Sequence, residues 1–370
     1  MAGVACRRLD FALTDDQEAL RDAAGELLAD LASSRRVRAV VDAGGGWDAA
    51  LWEAMLAQGW AAVTLPEDQG GLGLGTVEVV VLLEELGRRA APAPFASTVL
   101  ALETLAAAGA HDQVAALLAG GGLACVGWSR RLDAVQGRRG GDAWTLSGGP
   151  DPTLYAPGAQ LAVVPAATDD GPALFAVELD AEHRPAPEPA MDRTRQLGWL
   201  RLDDIPATRL GGDEAVQALL DRGATYAAAE MLGGAAQVLA MSVEYAKERI
   251  QFGRPIGSFQ AVKHRCADML VDVEGMRSSV YWAAWCIGAD DRDRSVAAST
   301  AKIWGSDASK RVMASGLQVH GGIGFTWEHD LHLFMKRAQL DQVSFGDASF
   351  HRERLAALLR PRVEAGESVL

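Results

Sequence analysis

Residues Tyr245–Met269 read YAKERIQFGRPIGSFQAVKHRCADM. This stretch is the most informative part of the sequence for predicting the fold. Helix-forming residues occupy both of its ends, and the Gly-Arg-Pro break between them predicts a short turn. The turn region gathers arginine, amide and aromatic side chains, namely Arg249, Gln251, Phe252 and Gln260. A guanidinium makes bidentate, charge-assisted hydrogen bonds, so this turn suits a phosphate-bearing ligand. It is equally consistent with an arginine-capped helix hairpin, because the helix macrodipole favours a cation near the C-terminus.

A second block further downstream, Gln318–His332, reads QVHGGIGFTWEHDLH. Other short motifs precede both blocks: FALTDDQ at Phe11–Gln17, Gly59-Trp60, LPEDQGGLG at Leu65–Gly73 and EELGR at Glu84–Arg88. Together these motifs resemble the acyl-CoA dehydrogenase family, flavoproteins that use FAD to desaturate acyl-CoA thioesters between C2 and C3. The resemblance extends along nearly the whole chain, and several separate motifs in family order make it specific.

The composition is that of an acidic globular protein. The chain has 370 residues, of which 49% are hydrophobic, so it is long enough for one large core or for two to three smaller ones. Its net charge of −14 and pI near 5.0 argue against a nucleic-acid partner, which requires a basic surface. No run of about eighteen apolar residues occurs, so we expect no membrane span.

Cysteine and histidine spacing bears on metals and on cellular location. The four cysteines, Cys6, Cys125, Cys266 and Cys286, show neither paired metal spacing nor a disulfide-dense pattern, which predicts reduced thiols and a cytoplasmic protein. Residues Met1–Arg8 are too short for a signal peptide and lack its apolar core. The histidines His320, His329, His332 and His351 lack zinc or two-histidine-carboxylate spacing, so we expect no metal site.

Three regions differ in their hydrophobic pattern. Residues 9–119 predict an N-terminal helical domain, which starts at the capping-box sequence Thr14–Gln17. Residues 120–212 predict a β domain, with apolar runs at Leu123–Val126, Leu161–Val164, Leu174–Val177 and Leu197–Leu202. Residues 213–370 predict long helices at Tyr226–Ala246, Val262–Cys286, Val296–Val319 and His329–Gln342. The predicted fold is mainly α with a β middle domain, and the resemblance implies a β-barrel-like domain and a C-terminal four-helix bundle.

Two glycine clusters, Gly70–Gly75 and Gly321–Gly324, look like dinucleotide fingerprints, but neither follows a buried strand of a βαβ unit. We predict that the first is a loop between helices. The resemblance implies that Gly321 and Gly322 of the second let the backbone approach the ADP part of a neighbouring subunit's FAD. It also implies that Arg249 contacts the pyrophosphate. The remaining residues expected in this half of the site are Gln251, Phe252, Gln260 and Gln318.

The family's catalytic base is missing from its usual positions. Desaturation needs a carboxylate within hydrogen-bond reach of C2 while the flavin takes the C3 hydride. Many members place a glutamate where this chain has Phe345, and others place it where this chain has Gly223. Glu230 lies two helical turns after Gly223, and it is either a displaced base or a buried structural acid paired with an arginine. Asp347 could instead reach the ribityl or adenine region of the cofactor.

The β domain departs from the family as well. Its segment Ala124–Arg131, ACVGWSRR, lacks the Thr-Glu-Pro and Gly-Ser-Asp motifs with which members contact the isoalloxazine ring. A missing base together with missing ring contacts resembles the short, β-type subunit of α2β2 heterotetrameric acyl-CoA dehydrogenases, which act on CoA thioesters of steroid side chains. In those enzymes the partner supplies the glutamate and most of the flavin pocket.

Three functional hypotheses remain open. In the first, the chain is a non-catalytic β-type subunit that contributes the adenine side of the FAD site, its partner is a catalytic acyl-CoA dehydrogenase subunit, and the substrate is an acyl-CoA. In the second, it is a self-sufficient homotetramer with Glu230 as the base. In the third, it is a catalytically silent scaffold of the same fold. For the enzymes, an electron-transfer flavoprotein is the expected electron acceptor.

Overall fold

The computed structural model describes residues 12–367, so Phe11 and Cys6 lie outside the described residues. The chain begins with the helices α1 Asp15–Leu31, α2 Ser34–Asp42, α3 Ala49–Ala57, α4 Thr76–Arg88, α5 Phe95–Ala107 and α6 His111–Ala119. The predicted capping box starts α1: Thr14 Oγ1 accepts from the Gln17 N–H at 3.3 Å, and the Gln17 side chain accepts from the Thr14 N–H at 3.0 Å. Residues Gly70–Gly75 form a loop before α4, as predicted.

A closed sheet follows the first helices. Its region contains the strands β1 Ala124–Val126, β2 Val135–Gly140, β3 Ala143–Gly148, β4 Thr153–Leu154, β5 Leu161–Thr168, β6 Gly171–Glu178, β7 Leu197–Gly198 and β8 Leu202–Gly211. Six strands pair in the order β1-β5-β2-β3-β8-β6, and β6 also pairs with β5, so the sheet closes on itself. Closure leaves fewer unpaired strand edges. The β-barrel-like middle domain is therefore confirmed.

Two strands of this barrel have no counterpart among the predicted apolar runs. The strand β2 carries exposed Arg138 and Arg139, and β3 has Leu146 as its buried residue, so neither shows a continuous apolar pattern. The apolar run Leu197–Leu202 spans parts of two strands. The strand β7 ends at Gly198, and β8 begins at Leu202 and pairs with different neighbours.

The C-terminal half is helical, as predicted. It contains α7 Asp213–Glu248, α8 Gln260–Gly288, α9 Arg294–His320, α10 Leu331–Val343 and α11 Ala348–Glu364, and the hairpin β9 Ile250–Gln251 with β10 Arg254–Pro255 joins α7 to α8. The helices α8, α9 and α10 all pack against α7, which gives the expected four-helix bundle, and α11 packs against α9. Across residues 12–367, no helix is both long enough and apolar enough to cross a membrane.

The two helical regions share one hydrophobic core, whereas the barrel has a smaller core of its own. Two glycines allow α4 and α7 to touch. A Cβ on Gly233 would lie 1.9 Å from the Glu84 carbonyl oxygen, and a Cβ on Gly87 would lie 2.2 Å from the Glu230 carbonyl oxygen. A larger residue at either position would push the helices apart. This contact fixes the turn of α7 that carries Glu230.

Candidate functional site

A pocket of about 330 Å³ lies where α5, α7 and α10 meet the barrel, and we call it the central pocket. Its apolar lining includes Leu100, Val126, Trp128, Leu154, Leu340 and Val343, and its charged residues are Asp151, Arg195, Glu230 and Asp341. Gly223 and Phe345, which the sequence resemblance matches to the family's base positions, also line it. The structure therefore brings both candidate base positions and Glu230 to one cavity.

Gly223 and Phe345 meet directly across the pocket wall. A Cβ on Gly223 would lie 2.5 Å from Cδ1 of Phe345, which is far inside van der Waals contact. The phenyl ring thus occupies the space that a side chain on α7 would need. A side chain at position 223 would therefore clash with the phenyl ring of Phe345 in its present position.

The turn that carries Phe345 is held by two buried side chains. Phe345 has φ +55° and Gly346 has φ +91°, both in the left-handed region. His351 Nε2 donates to the Phe345 carbonyl at 2.8 Å, and Lys302 Nζ donates to the carbonyls of Gln342 at 2.9 Å and Gly346 at 2.8 Å. Burial lowers the pKa of His351 to about 3 and that of Lys302 to about 7. His351 is therefore a neutral donor, and Phe345 is a fixed part of the wall.

Glu230 belongs to a buried network of ion pairs. It is 5% exposed and accepts a hydrogen bond from the Arg195 guanidinium, and Nη1 of Arg337 lies 3.9 Å from its Oε1. Arg337 also donates to Asp192 Oδ2 at 2.8 Å and to the Thr194 hydroxyl. Burial opposes ionisation of Asp192, but Arg337, the Thr194 hydroxyl and Arg195 together outweigh it and hold the pKa of that carboxyl below its usual range. The geometry favours Glu230 as a buried structural acid, because the Arg195 guanidinium already donates a hydrogen bond to its Oε1.

Asp341 is a charged residue of the pocket that the sequence reasoning missed. It is 2% exposed, and its Oδ2 has no hydrogen-bond partner within residues 12–367. Burial, followed by the nearby Glu230 carboxylate, raises the pKa of Asp341 to about 8. Arg337 and Asp341 lie at i and i+4 on the buried stripe of α10. Arg337 and Asp341 could have been identified from the sequence, because both are ionisable residues at core positions of a predicted helix.

The predicted phosphate-binding turn lies at the other end of α7. The backbone N–H of Arg249 donates to the Tyr245 carbonyl at 2.9 Å, which ties the turn to the helix. The Arg249 guanidinium is exposed and has no partner among the described residues. Phe252, at φ +53°, is 92% exposed and contacts Phe259 edge-to-face at 6.1 Å between ring centroids. Gln251 and Gln260 are exposed as well. The hairpin thus presents its binding groups outward.

The glycine block lies beside this turn. Tyr245 stacks on His320 with 4.8 Å between the ring centroids, which joins the end of α7 to the end of α9. Gly321 follows with φ +62°, and a Cβ on Gly321 or Gly322 would meet nothing within 4 Å. Gln318 is exposed on the last turn of α9. The structure therefore places the two sequence blocks side by side on one outward-facing surface, which we call the hairpin surface.

The central pocket and the hairpin surface are far apart within one chain. Arg249 follows Gly223 by 26 residues on α7, which at 1.5 Å per residue separates them by about 39 Å. Asp347 lies at the pocket end, where its carboxylate caps α11 by accepting from the Phe350 N–H at 2.8 Å. This hydrogen bond lowers the pKa of Asp347. Asp347 and Arg249 therefore cannot contact the same FAD from a single chain.

The four histidines singled out by the sequence have other neighbours. His329 lies 4.5 Å from His320 between ring centroids, and His332 stacks on Trp327 at 4.4 Å. His351 supports the Phe345 turn. In the described part of the chain, no group of three or more acidic, histidine or cysteine side chains could hold a metal ion.

Comparison with known proteins agrees with this architecture. The family model "Acyl-CoA dehydrogenase, N-terminal domain" matches residues 14–120, and the model "Acyl-CoA dehydrogenase, C-terminal domain" matches residues 211–359. The chain is 33% identical to acyl-CoA dehydrogenase IpdE2 of Mycolicibacterium smegmatis over 347 residues, which cover 93% of this chain and 99% of that protein.

Two solved structures have the same fold. The steroid ACAD Tcur3481-Tcur3483 matches with a TM-score of 0.88 and 32% identity, covering 94% of this chain and 99% of that one. The ChsE4-ChsE5 complex of Mycobacterium tuberculosis matches with a TM-score of 0.89 and 29% identity, covering 95% and 99%. The chain therefore belongs to the acyl-CoA dehydrogenase family, whose members are FAD-dependent oxidoreductases.

Proposed function

We propose that this chain is the β-type subunit of a heteromeric acyl-CoA dehydrogenase and that it supplies the adenine side of an FAD site completed by a catalytic subunit. The observation that carries the proposal is the difference between the two ends of α7. At one end, Gly223 and Phe345 stand at the two family base positions. The Phe345 ring fills the space that a side chain at position 223 would need. At the other end, Arg249 projects outward with no partner among the described residues.

The hairpin surface fits an FAD held mainly by another subunit. The Arg249 guanidinium is free to form bidentate hydrogen bonds with a pyrophosphate. Gly321 and Gly322 leave open space where a side chain would stand, so a nucleotide can approach their backbone. The exposed amides of Gln260 and Gln318 add polar contacts. When bound, FAD accepts the hydride that leaves C3 of the acyl group, and this chain binds and orients the adenine half.

Exposed apolar side chains support assembly with a partner. Four large ones are exposed on the packed helices α8 and α9: Leu270, Val271, Trp285 and Trp304. Large exposed apolar groups of this kind are typical of protein–protein interfaces. One of the two similar structures is a steroid ACAD and the other is a complex of two proteins, which supports a heteromeric enzyme for steroid-derived acyl-CoA thioesters.

Two further elements of the proposal rest on family and composition. An electron-transfer flavoprotein, the usual acceptor of the family, would take the electrons from the reduced flavin. The acidic net charge and the free thiols of Cys125, Cys266 and Cys286 support a cytoplasmic location.

A self-sufficient homotetramer with Glu230 as the base is the second candidate. The position of Glu230 on the wall of the central pocket favours it. The buried hydrogen bond from Arg195 disfavours it, because that oxygen already has a charged donor.

Flavin content tests the first proposal. The chain is purified alone and together with any acyl-CoA dehydrogenase that an adjacent gene encodes, and FAD per chain is measured by visible absorbance. We expect near-stoichiometric flavin in the mixed complex and little in the chain alone, because the ring contacts and the base belong to the partner. Near-stoichiometric flavin in the chain alone would contradict the heteromeric assignment.

The same complex separates the two candidates through Glu230→Gln. Stopped-flow bleaching of the flavin on mixing with an acyl-CoA measures the chemical step. If the partner carries the base, this rate stays within a few-fold of the unmodified complex. If Glu230 is the base, the rate falls by roughly 10²–10⁴-fold while FAD and quaternary structure are retained.

A further inference from the structure

The glycine block of the hairpin surface, Gly321–Gly324, has few side chains to hold it in place. A Cβ on Gly321 or Gly322 would meet no atom within 4 Å among residues 12–367. The large side chains of Ile323 and Phe325 are exposed as well, that of Phe325 to 76%. Glycine loses more backbone freedom on folding than any other residue. The block therefore depends on anchors at its two ends to keep one conformation.

The end of the block that follows α9 is anchored by packing. His320 is buried, stacks on Tyr245 and donates from Nδ1 to the Gly316 carbonyl at 2.8 Å. Gly324 lies close to the same histidine, since a Cβ on Gly324 would stand 3.1 Å from the His320 Cβ. This end of the block is thus fixed to α7 and α9.

The other end of the block continues into residues 327–330, and one arginine from the N-terminal helical domain holds them. Arg38 on α2 donates from Nη1 to the Trp327 carbonyl at 2.7 Å and from Nη2 to the Glu328 carbonyl at 2.9 Å. Its Nε donates to Asp330 Oδ1 at 2.7 Å. His332 also donates to the Trp327 carbonyl, at 3.2 Å, but it belongs to the neighbouring helix α10. Arg38 therefore ties this segment to a different domain, and we call its three bonds the Arg38 clamp.

Both sides of the clamp are committed to it. Asp330 is the N-cap residue of α10, yet within the described residues its carboxylate caps no backbone N–H and pairs with Arg38 instead. The helix α2 is itself fixed, because Val37 and Val41 are buried in the core that the helical regions share. Charge-assisted hydrogen bonds to three acceptors fix direction as well as distance. The clamp thus joins a rigid helix to the end of the glycine block.

We propose that Arg38 is a positioning residue for the hairpin surface. By holding residues 327–330, it keeps the backbone of Gly321 and Gly322 in the conformation that receives the ADP part of the cofactor. Its Nε, Nη1 and Nη2 all donate to that segment, so it acts through the glycine block and not by touching the cofactor. A site that is already ordered loses less conformational entropy when a ligand binds. This inference rests on the proposed contribution to an FAD site and extends it to the N-terminal helical domain.

Hydrogen exchange of the full chain without flavin tests the clamp itself. Arg38→Met removes all three bonds, so the amides of Gly321–Thr326 should exchange about 10-fold faster through easier local opening. Arg36→Met is the matched control. Arg36 lies two residues earlier on α2, is similarly exposed and pairs with Asp48 at 2.8 Å. Its loss removes a comparable ion pair and should leave the exchange of Gly321–Thr326 unchanged.

Titration of the flavin-free mixed complex with FAD tests the positioning role. We expect Arg38→Met to weaken FAD binding by about 3- to 10-fold, because the glycine block must then be ordered when the cofactor binds. Arg36→Met should bind FAD as the unmodified complex does. Thermal unfolding of both variants gives their loss of stability, and a merely structural role of Arg38 would leave FAD affinity equal in the two.

Three results would overturn the proposal: unchanged exchange of the block in Arg38→Met, an equal effect of Arg36→Met, and faster exchange with unchanged FAD affinity. If Arg38→Met does not fold, Asp330→Asn replaces it, because it removes the charge of the clamp at equal volume and should act in the same direction.

Failure of the FAD site itself has a different signature. FAD affinity would then be insensitive to Arg249→Met and Gly322→Ala too, which would overturn the positioning role together with the subunit proposal. The exchange result for the Arg38 clamp would stand, because it is measured without flavin.

Discussion

The central pocket and the hairpin surface lie at different ends of α7, and they differ in whether their arginines are buried and paired. In the pocket, Arg195 and Arg337 each have a buried carboxylate partner. On the hairpin surface, Arg249 is exposed and has no side-chain partner among the described residues. Burying an unpaired charge is costly, whereas an exposed guanidinium stays hydrated until a ligand arrives. The arginines of the pocket therefore serve the fold, and the arginine of the hairpin is available for binding.

Two matched arginine variants test this contrast and have the largest expected difference. Arg195→Met leaves the Glu230 carboxylate buried without its closest cation, so the free energy of unfolding should fall by about 3–5 kcal/mol. Arg249→Met should change it by less than about 0.5 kcal/mol. It should nevertheless weaken FAD binding by about 10- to 100-fold through the lost charge-assisted bonds. Urea unfolding measures the loss of stability, and flavin absorbance of the mixed complex measures FAD binding. Equal losses of stability in the two variants would contradict the difference between the pocket and the hairpin surface.

Two matched glycine variants test the same contrast through packing. Gly223→Ala places a methyl group against the Phe345 ring, so we expect a loss of about 1–3 kcal/mol in stability. Adding Phe345→Leu should recover most of it, because the two positions share one space. Gly322→Ala meets no neighbour within residues 12–367 and should leave stability unchanged while lowering FAD retention. Full additivity of the Gly223 and Phe345 changes in thermal unfolding would disprove their contact.

Variants of Asp347 have the smallest expected effect on stability. They test whether Asp347 serves as the N-cap of α11 or contacts the cofactor. Asp347→Ala removes the N-cap of α11, which should cost about 1 kcal/mol, and Asp347→Asn should keep most of the cap. The folded-state pKa of Asp347 is lowered, so its stabilisation is present above the unfolded pKa and is lost as the pH falls through the folded value. Unfolding measured between neutral and acidic pH checks this. Loss of FAD with unchanged stability would instead support a cofactor contact.

Local patterns predicted the helices well. The capping box of Thr14 and the four long helical segments of the bundle depend on residues close together in the sequence, and all of them occur. The hairpin β2–β3 was missed because its exposed arginines leave no apolar run. Barrel closure, not local hydrophobicity, makes that segment a strand.

The contents of the pocket could be predicted only in part. Comparison with the family's motifs identified Gly223 and Phe345 as vacated base positions, but they are 122 residues apart in the sequence (345 − 223), and only the structure shows that one fills the space of the other. The partner of Glu230 was equally hidden. Arg195 comes from the irregular segment between β6 and β7, where no periodicity marks it.

The length of α7 has a consequence for assembly. A single helix of 36 residues carries the central pocket at Gly223 and the hairpin surface at its end, so it acts as a rigid spacer of about 39 Å between Gly223 and Arg249. Deleting one residue beyond Gly234 would shorten the spacer by about 1.5 Å and rotate everything after it by about 100°. Arg249 would then point away from its present direction although every side chain remained. The direction in which Arg249 points is thus set by the phase of one helix as well as by the residues at its end.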